Sequence, residues 1–263
     1  MPPSISPAGP VFTAPPPAGG IMFAIPCYGG MVHDATMHGM LDAVGKLSAH
    51  GVGFAYVTTR NESLVQRARN YCVAQFMKTD CTHLLFVDAD IGFTGDHVLR
   101  LLAHDRPLIG GLYRKKTLER RDFVVTWLPG ETAPRDTRTG AVLCSAIGTG
   151  FMMIRRDVIT RMIAAFPDTR YAIHPGDVAG APQADHAHAL FDCWIDPVTR
   201  GYLSEDYGFC ARWRALGGEV WCDPALVLEH HGTACFVADP TDDIRPPPPE
   251  PPPEPPPEPP PCP

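Results

Sequence analysis

The sequence HLLFVDADIGF, residues 83–93, decides the fold and marks the first candidate site. The run from His83 to Val87 is fully apolar after its first residue, as is typical of a parallel strand covered on both faces. Open α/β sheets bind ligands at the carboxyl ends of such strands. The triplet Asp88-Ala89-Asp90, which follows at once, therefore stands where a binding site is expected.

Two strand-helix units precede this stretch. Strands are predicted at Ile21 to Pro26 and Phe54 to Thr58, and helices at residues 35–50 and 63–77. The first helix is predicted from apolar residues at helical spacing, namely Met37, Met40, Leu41, Val44 and Leu47. This repeating order predicts an α/β fold with a doubly wound, largely parallel central sheet.

The second half of the chain has a less regular rhythm. Helices are predicted around residues 157–166 and 204–216. Short strands are predicted at residues 108–112, 123–128, 141–147, 151–154, 220–222 and 226–228. We therefore expect one α/β domain at residues 20–238 whose second half is mixed.

Proline-rich segments flank this domain. Residues 1–19 are predicted to be a flexible tail, because proline removes backbone donors. Residues 239–263 contain a repeated P-P-P-E unit, which predicts an extended polyproline II tail with spaced glutamates. This tail is expected to be a solvated spacer; the alternative is a ligand for a partner that binds Pro-rich motifs.

The net charge and the cysteine content indicate which partners and which cellular compartment to expect. The 263 residues carry a net charge of −7, but residues 239–263 hold six acids and one arginine, so the rest carries only −2. Nucleic acid is therefore not an expected partner.

Nine cysteines without a C-x-x-C pair favour reduced thiols and a cytoplasmic protein. No Lys or Arg precedes Lys46, and no transmembrane segment is predicted, while peripheral association with the inner membrane stays open.

Three short motifs could carry chemistry. Asp88 and Asp90 point the same way along an extended backbone, so both carboxylates can address one divalent cation. The alternative is a solvated turn. In Glu229-His230-His231-Gly232, one histidine could complete that site, and a nitrogen ligand favours Mn²⁺ over Mg²⁺. Taken alone, a histidine pair is more often structural.

The third motif, Ser204-Glu205-Asp206, begins a predicted helix. Capping by serine and stabilisation of the helix dipole by the two acids explain it without any catalysis. Alternatively, one acid is a general base for an acceptor hydroxyl. A helix N-terminus lowers the pKa of a carboxyl group, whereas burial raises it, and the residues leave the outcome open.

Together these motifs resemble the glycosyltransferases of the A-type (GT-A) fold, especially the family-2-like bacterial enzymes. The resemblance covers residues 21–236. It rests on the order and spacing of seven segments, which are AIPCYGG (24–30), RARN (67–70), HLLFVDADIGF (83–93), GGLYRKK (110–116), GTGFMMIRR (148–156), YLSEDYGFCARWRALGG (202–218) and LEHHG (228–232).

The resemblance implies a hexosyltransferase-type enzyme that uses a nucleotide-diphosphate sugar. Asp88, Asp90 and His230 are the implied ligands of Mn²⁺ or Mg²⁺. Asp206 is the implied base of an inverting reaction, and Glu205 completes the motif on the acceptor side. The implied donor-binding residues are Pro26, Tyr28, Arg67, Asp88, Ala89, Gly148, Gly150 and Phe151. Residues 171–201 are expected to form an acceptor-side lid in which Trp194 can stack on a sugar.

Three alternatives remain at this stage. A retaining glycosyltransferase shares the fold and the metal, and differs in the role of Asp206. A sugar nucleotidyltransferase also needs paired carboxylates, but residues 29–45 lack the basic phosphate loop that is usual there. A non-catalytic scaffold would recruit partners through its Pro-rich tails. The sequence does not identify the acceptor, which is a glycan, a lipid-linked molecule or a protein.

Overall fold

The structure is a computed structural model that describes residues 19–119, 121–130, 133–172 and 187–238. The helices are α1 (Asp34–Ala49), α2 (Val65–Met77), α3 (Gly95–His104), α4 (Arg156–Ala165) and α5 (Glu205–Ala215). The strands are β1 (Ile21–Pro26), β2 (Phe54–Thr59), β3 (His83–Val87), β4 (Ile91–Gly92), β5 (Leu108–Gly111), β6 (Val125–Trp127), β7 (Val142–Ile147), β8 (Phe151–Arg155), β9 (Trp194–Ile195), β10 (Tyr202–Leu203), β11 (Val220–Asp223), β12 (Glu229–His231) and β13 (Cys235–Val237).

Eight strands form the central sheet, in the order β2-β1-β3-β8-β5-β11-β7-β6. The first three are parallel neighbours, whereas β8 runs antiparallel between β3 and β5, and β7 runs antiparallel between β11 and β6. All strands of this sheet except β7 and β8 thus point the same way. The predicted α/β fold, with a mostly parallel sheet and a mixed second half, is confirmed.

Helices cover both faces of this sheet because successive strand residues point to opposite sides. Met22 and Leu84 belong to the core beneath α2, α4 and α5, while Phe23 and Leu85 belong to the core beneath α1 and α3. All five residues of β3 are buried, as the apolar run predicts. Two apolar cores therefore hold the carboxyl ends of β1 and β3 at one edge of the molecule.

A small antiparallel sheet, β13-β12-β4, lies at that edge. Here one prediction is wrong, because residues 226–228 do not form a strand. Leu226 and Leu228 are both buried, and the amide of Leu228 donates to the carbonyl of Leu226 in a tight turn. The strand begins one residue later, so His230 and His231 lie on β12 itself.

The buried face of α1 also differs from the prediction. Met37 and Leu41 are exposed, while the small residues Thr36, Gly39 and Ala43 face the core. The reason is close approach, since a Cβ atom on Gly39 would lie 2.6 Å from the carbonyl oxygen of Phe93. Helix α3 was not predicted from the sequence.

Much of the predicted tail structure lies outside the described residues, as do residues 173–186 of the predicted lid. None of the helices in the described ranges combines the length and apolarity that a bilayer crossing requires. The eight described cysteines are free thiols, and six of them are buried.

Candidate functional site

A cleft of about 460 Å³ opens where β1 and β3 end. Because these strands are parallel neighbours, the residues that follow them meet at the same edge of the sheet. Pro26 and Tyr28 line one side, and Asp88, Ala89 and Asp90 line the other. The structure thus brings together two of the segments that the resemblance assigns to the donor.

The backbone of the acidic triplet is held by three separate elements. The amide of Asp88 donates to the carbonyl of Gly150 at 2.9 Å. The carbonyl of Ala89 accepts from the amide of His33 at 2.7 Å, and the carbonyl of Asp90 accepts from the amide of His231 at 2.8 Å. Both carboxylates therefore extend from a fixed backbone.

His230 lies beside the second carboxylate of the triplet. Its Nε2 atom is 3.7 Å from Oδ1 of Asp90, and its Nδ1 donates to the carbonyl oxygen of Arg114 at 2.7 Å. A carbonyl only accepts, so Nδ1 carries a proton, and in the neutral tautomer with that proton Nε2 presents a lone pair. Two ligands of one divalent cation lie about 3–4 Å apart, so this pair fits a shared ion.

Lys116 supplies a positive charge at the same place. Its ammonium group contacts Oδ2 of Asp90, and both side chains are more than a third exposed. Its alkyl chain passes over Gly232, where an added Cβ atom would lie 3.0 Å from the lysine Cδ. The glycine of the LEHHG segment thus makes room for a cation that neutralises Asp90.

Arg69 is a buried cation that joins the cleft to the start of α5. It is only 4% exposed, its Nη1 lies 3.0 Å from Oδ1 of Asp88, and its Nε donates to Oε1 of Glu205 at 3.2 Å. Burial alone would lower the pKa of this guanidinium, but the two carboxylates outweigh burial and raise it. Arg69 therefore stays charged and links the predicted metal side to the predicted acceptor side.

Asp206 is partly buried at the first turn of α5. Burial raises the pKa of its carboxyl group, and the nearby charge of Glu205 adds to the rise. The hydroxyl of Ser204 and the amide of Tyr207 both donate to Oδ1 of Asp206, which opposes that rise. Ser204 stands at the N-cap position, but its side chain makes no hydrogen bond to the helix backbone.

Tyr113 packs beneath the site. Its hydroxyl accepts from the amide of Gly150 at 3.0 Å, and its ring meets that of His230 edge-on with centroids 5.1 Å apart. Burial raises the pKa of Tyr113, and the charges of Asp88 and Asp206 raise it further. One buried phenol thus lies within electrostatic reach of both acidic motifs.

The other predicted donor-binding residues lie away from the cleft surface. Gly148, Gly150 and Phe151 are buried, and Cβ atoms on the two glycines would collide with the ring or hydroxyl of Tyr113. Arg67 donates from Nε and Nη2 to the buried carboxylate of Glu62, at 2.5 and 2.8 Å. Their contacts to a donor stay predictions.

Trp194 lies on β9 against helix α5. The guanidinium of Arg212 covers its ring at 4.0 Å from the centroid, and Gly208 approaches the ring closely. Stacking of this ring on a sugar stays a prediction. Within the same segment, His188 is buried and its Nδ1 lies 3.0 Å from the hydroxyl of Thr169.

Sequence reasoning missed the two cations of the site. Arg69 shares the buried face of α2 with Cys72 and Val73, and an arginine at such a position implies a buried partner. The helical spacing of Arg69, Cys72 and Val73 could have been noticed in the sequence. Nothing in the sequence, by contrast, pairs Lys116 with Asp90, because this contact depends on the path of the chain between β5 and β6.

Comparisons with known proteins give similarities of structure alone. No family model matches the chain, and neither does any curated protein. Among solved structures the chain is similar to A197 from STIV, with 17% identity, a TM-score of 0.49 and coverage of 84% of this chain and 94% of that one.

A second similarity is to GalNAc-T7 with UDP, GalNAc and Mn²⁺, with 15% identity and a TM-score of 0.42; it covers 81% of this chain and only 44% of that one. A third is to a glycosyltransferase involved in glycosylation of the major capsid of PBCV-1, with 11% identity, a TM-score of 0.31 and coverage of 57% and 66% of the two chains. The roles considered for Asp88, Asp90 and His230 rest on this chain's own residues.

Proposed function

We propose that the chain is a metal-dependent glycosyltransferase that moves a sugar, with inversion, from a nucleotide-diphosphate sugar to an acceptor hydroxyl. The observation that carries the proposal is the pairing of Asp90 with an imidazole nitrogen that is free to bind a cation. Asp88 opens onto the same cleft. Asp90, His230 and Asp88 would hold Mn²⁺ or Mg²⁺, which would offset the charge that develops on the diphosphate leaving group.

The walls of the cleft suit the two ends of such a donor. Tyr28 is 68% exposed, and Met31 and Val32 extend the apolar surface beside it. A nucleoside base can pack on this side, while its diphosphate points toward the acidic triplet and Lys116. This division of the cleft supports a ligand with one flat apolar end and one anionic end.

Asp206 is the proposed general base. A carboxylate whose pKa is raised by burial accepts a proton from a hydroxyl better than an ordinary aspartate does. Glu205 is held by Arg69 and so contributes to the placement of the acceptor side. Tyr113 keeps Gly150, and through it the amide of Asp88, in place.

The test is turnover. The full chain is incubated with a panel of nucleotide-sugars, with Mn²⁺ or with a chelator, and release of nucleoside diphosphate is measured. We expect one donor to be hydrolysed in the presence of Mn²⁺ and none with the chelator. Release of diphosphate that does not depend on the metal, or no hydrolysis of any donor, would count against the proposal. Formation of nucleoside triphosphate when pyrophosphate is added would indicate a nucleotidyltransferase.

A further inference from the structure

A second group of potential metal ligands lies next to the proposed site. Glu229, His231 and Cys235 each offer one ligand atom, and these atoms all lie within 4.8 Å of one another. Nε2 of His231 is 2.8 Å from Oε2 of Glu229 and 3.9 Å from Sγ of Cys235. In a tetrahedral zinc site with bonds of 2.0–2.3 Å, neighbouring ligand atoms are about 3.3–3.7 Å apart, so small side-chain shifts would suffice.

The β12–β13 hairpin explains why these three side chains converge. Residues two apart on a strand point to the same face, so Glu229 and His231 lie together while His230 points to the other face. Cys235 is the direct partner of His231 across the antiparallel pair. The hairpin therefore presents one ligand set on each side of β12.

Gly92 provides the space for this cluster. It is the register partner of Glu229 on β4, and a Cβ atom at Gly92 would lie 2.7 Å from Oε2 of Glu229 and 3.1 Å from Nε2 of His231. On the other side, the ring of His33 stacks on His231 with centroids 3.8 Å apart. The absence of a side chain at Gly92 thus leaves space for the ligand atoms, and the ring of His33 bounds that space on the other side.

We propose that Glu229, His231 and Cys235 form a binding site for Zn²⁺, separate from the site of Asp90 and His230. Thiolate, imidazole and carboxylate are a ligand set that suits zinc, whereas Mn²⁺ and Mg²⁺ prefer oxygen. On binding, the thiol proton passes to the buffer and the imidazole proton moves to Nδ1, leaving three protein ligands and one position for water. The bound ion would also stabilise the position of β12, the strand that carries His230.

Cobalt spectroscopy of the full chain tests the site. The metal-free protein, kept reduced with a reagent that contains no thiol, is titrated with Co²⁺, and the near-ultraviolet thiolate-to-cobalt band is recorded before competition with Zn²⁺. We expect the band in the parent chain and in a Cys193→Ser/Cys262→Ser control. We expect Cys235→Ser to lose the band, and His231→Gln and Gly92→Ala to bind Zn²⁺ at least about tenfold more weakly.

Three outcomes would overturn the proposal: no band in the parent chain, a band that persists in Cys235→Ser, or Zn²⁺ affinity that is the same in His231→Gln. Near-ultraviolet circular dichroism of each metal-free variant checks that it is folded, and Cys235 is exposed, so its replacement by serine disturbs no core. Asp90→Asn should keep the band. Failure of the zinc site can therefore be told apart from failure of the proposed transferase.

Discussion

The imidazole of His230 donates from Nδ1 to the carbonyl oxygen of Arg114 at 2.7 Å, and this bond decides what the other ring nitrogen can do. It orients the ring so that Nε2 is turned toward Asp90. Hydrogen bonding at one nitrogen is also how metal-binding histidines are commonly held in the correct tautomer. The ring orientation that the proposed metal site requires is therefore already present in the fold, where Lys116 also contacts Asp90.

Lys116 and a divalent cation would compete for Asp90. We expect Lys116→Gln to bind Mn²⁺, in the absence of nucleotide, about two- to fivefold more tightly, because an exposed ion pair contributes about 0.2–1 kcal/mol. Calorimetric titration measures the affinity. Lys115→Gln, which changes the neighbouring exposed lysine, is the matched control and should leave it unchanged. Weaker Mn²⁺ binding by Lys116→Gln would show that the lysine does not compete.

Arg69 is expected to be the most costly of the site residues to remove. Arg69→Met leaves Asp88 and Glu205 without their shared cation, and we expect the free energy of unfolding to fall by about 2–4 kcal/mol. Urea denaturation measures the loss. Arg138→Met, at an exposed arginine, should change stability by no more than about 0.5 kcal/mol. Adding Asp88→Asn to Arg69→Met should recover part of the loss, and strictly additive effects would contradict the coupling.

Asp206 is expected to reduce stability while it supports activity. Because burial raises its folded-state pKa above the unfolded value of about 3.9, stability falls as the pH rises through the interval between these two values. Asp206→Asn should therefore be more stable than the parent chain at neutral pH, and the advantage should shrink as the pH falls toward about 4. Asparagine keeps an Oδ1 acceptor for Ser204 and Tyr207.

The same variant should lose about a hundredfold or more in transfer rate, because it cannot accept the proton. Ser204→Ala offers a second check. Removing a hydrogen bond that lowers the pKa of Asp206 should move the acid limb of the pH–rate profile to higher pH. An Asp206→Asn protein that is less stable than the parent at neutral pH, or that retains full activity, would contradict this role.

Gly148 and Gly45 are expected to respond to alanine in opposite directions. A Cβ atom at Gly148 would lie 2.1 Å from the hydroxyl of Tyr113, so Gly148→Ala should cost about 1–3 kcal/mol. Gly45 lies inside α1 with nothing within 4 Å of its Cβ position, so Gly45→Ala should stabilise the chain by about 0.5–1 kcal/mol. Thermal denaturation compares them. Equal effects would mean that packing on Tyr113 is unimportant.

The order of strands and helices in the first half could be predicted because the local signals agree. The apolar run of β3 and the acids directly after it together indicate a buried strand with a site at its end, and the structure has the buried strand and a cleft at its end. Helix α3 escaped prediction because its capping box pairs Thr94 with His97, where Glu or Gln is the usual signal. The capping signal of α3 was therefore local in the sequence, but it used an atypical residue.

The remaining features of the candidate site depend on tertiary contacts and could not be predicted from the sequence. The sequence could not decide whether burial or the helix N-terminus controls the pKa of Asp206, because the outcome depends on the residues packed around it; in the structure burial prevails. Likewise, nothing near His230 in the sequence reveals that Arg114 orients its ring. The contact between His230 and Arg114 joins residues 116 positions apart, and only the folded chain brings them together.

Calorimetric titration of the chain with UDP, GDP and CDP, with and without Mn²⁺, tests the central claim most directly. We predict that one of the three binds, that binding requires Mn²⁺, and that Asp90→Asn and His230→Gln each weaken it at least about tenfold while His38→Gln, at an exposed histidine of α1, does not. Binding that is equally strong without metal, or that survives unchanged in His230→Gln, would contradict a cation shared by Asp90 and His230.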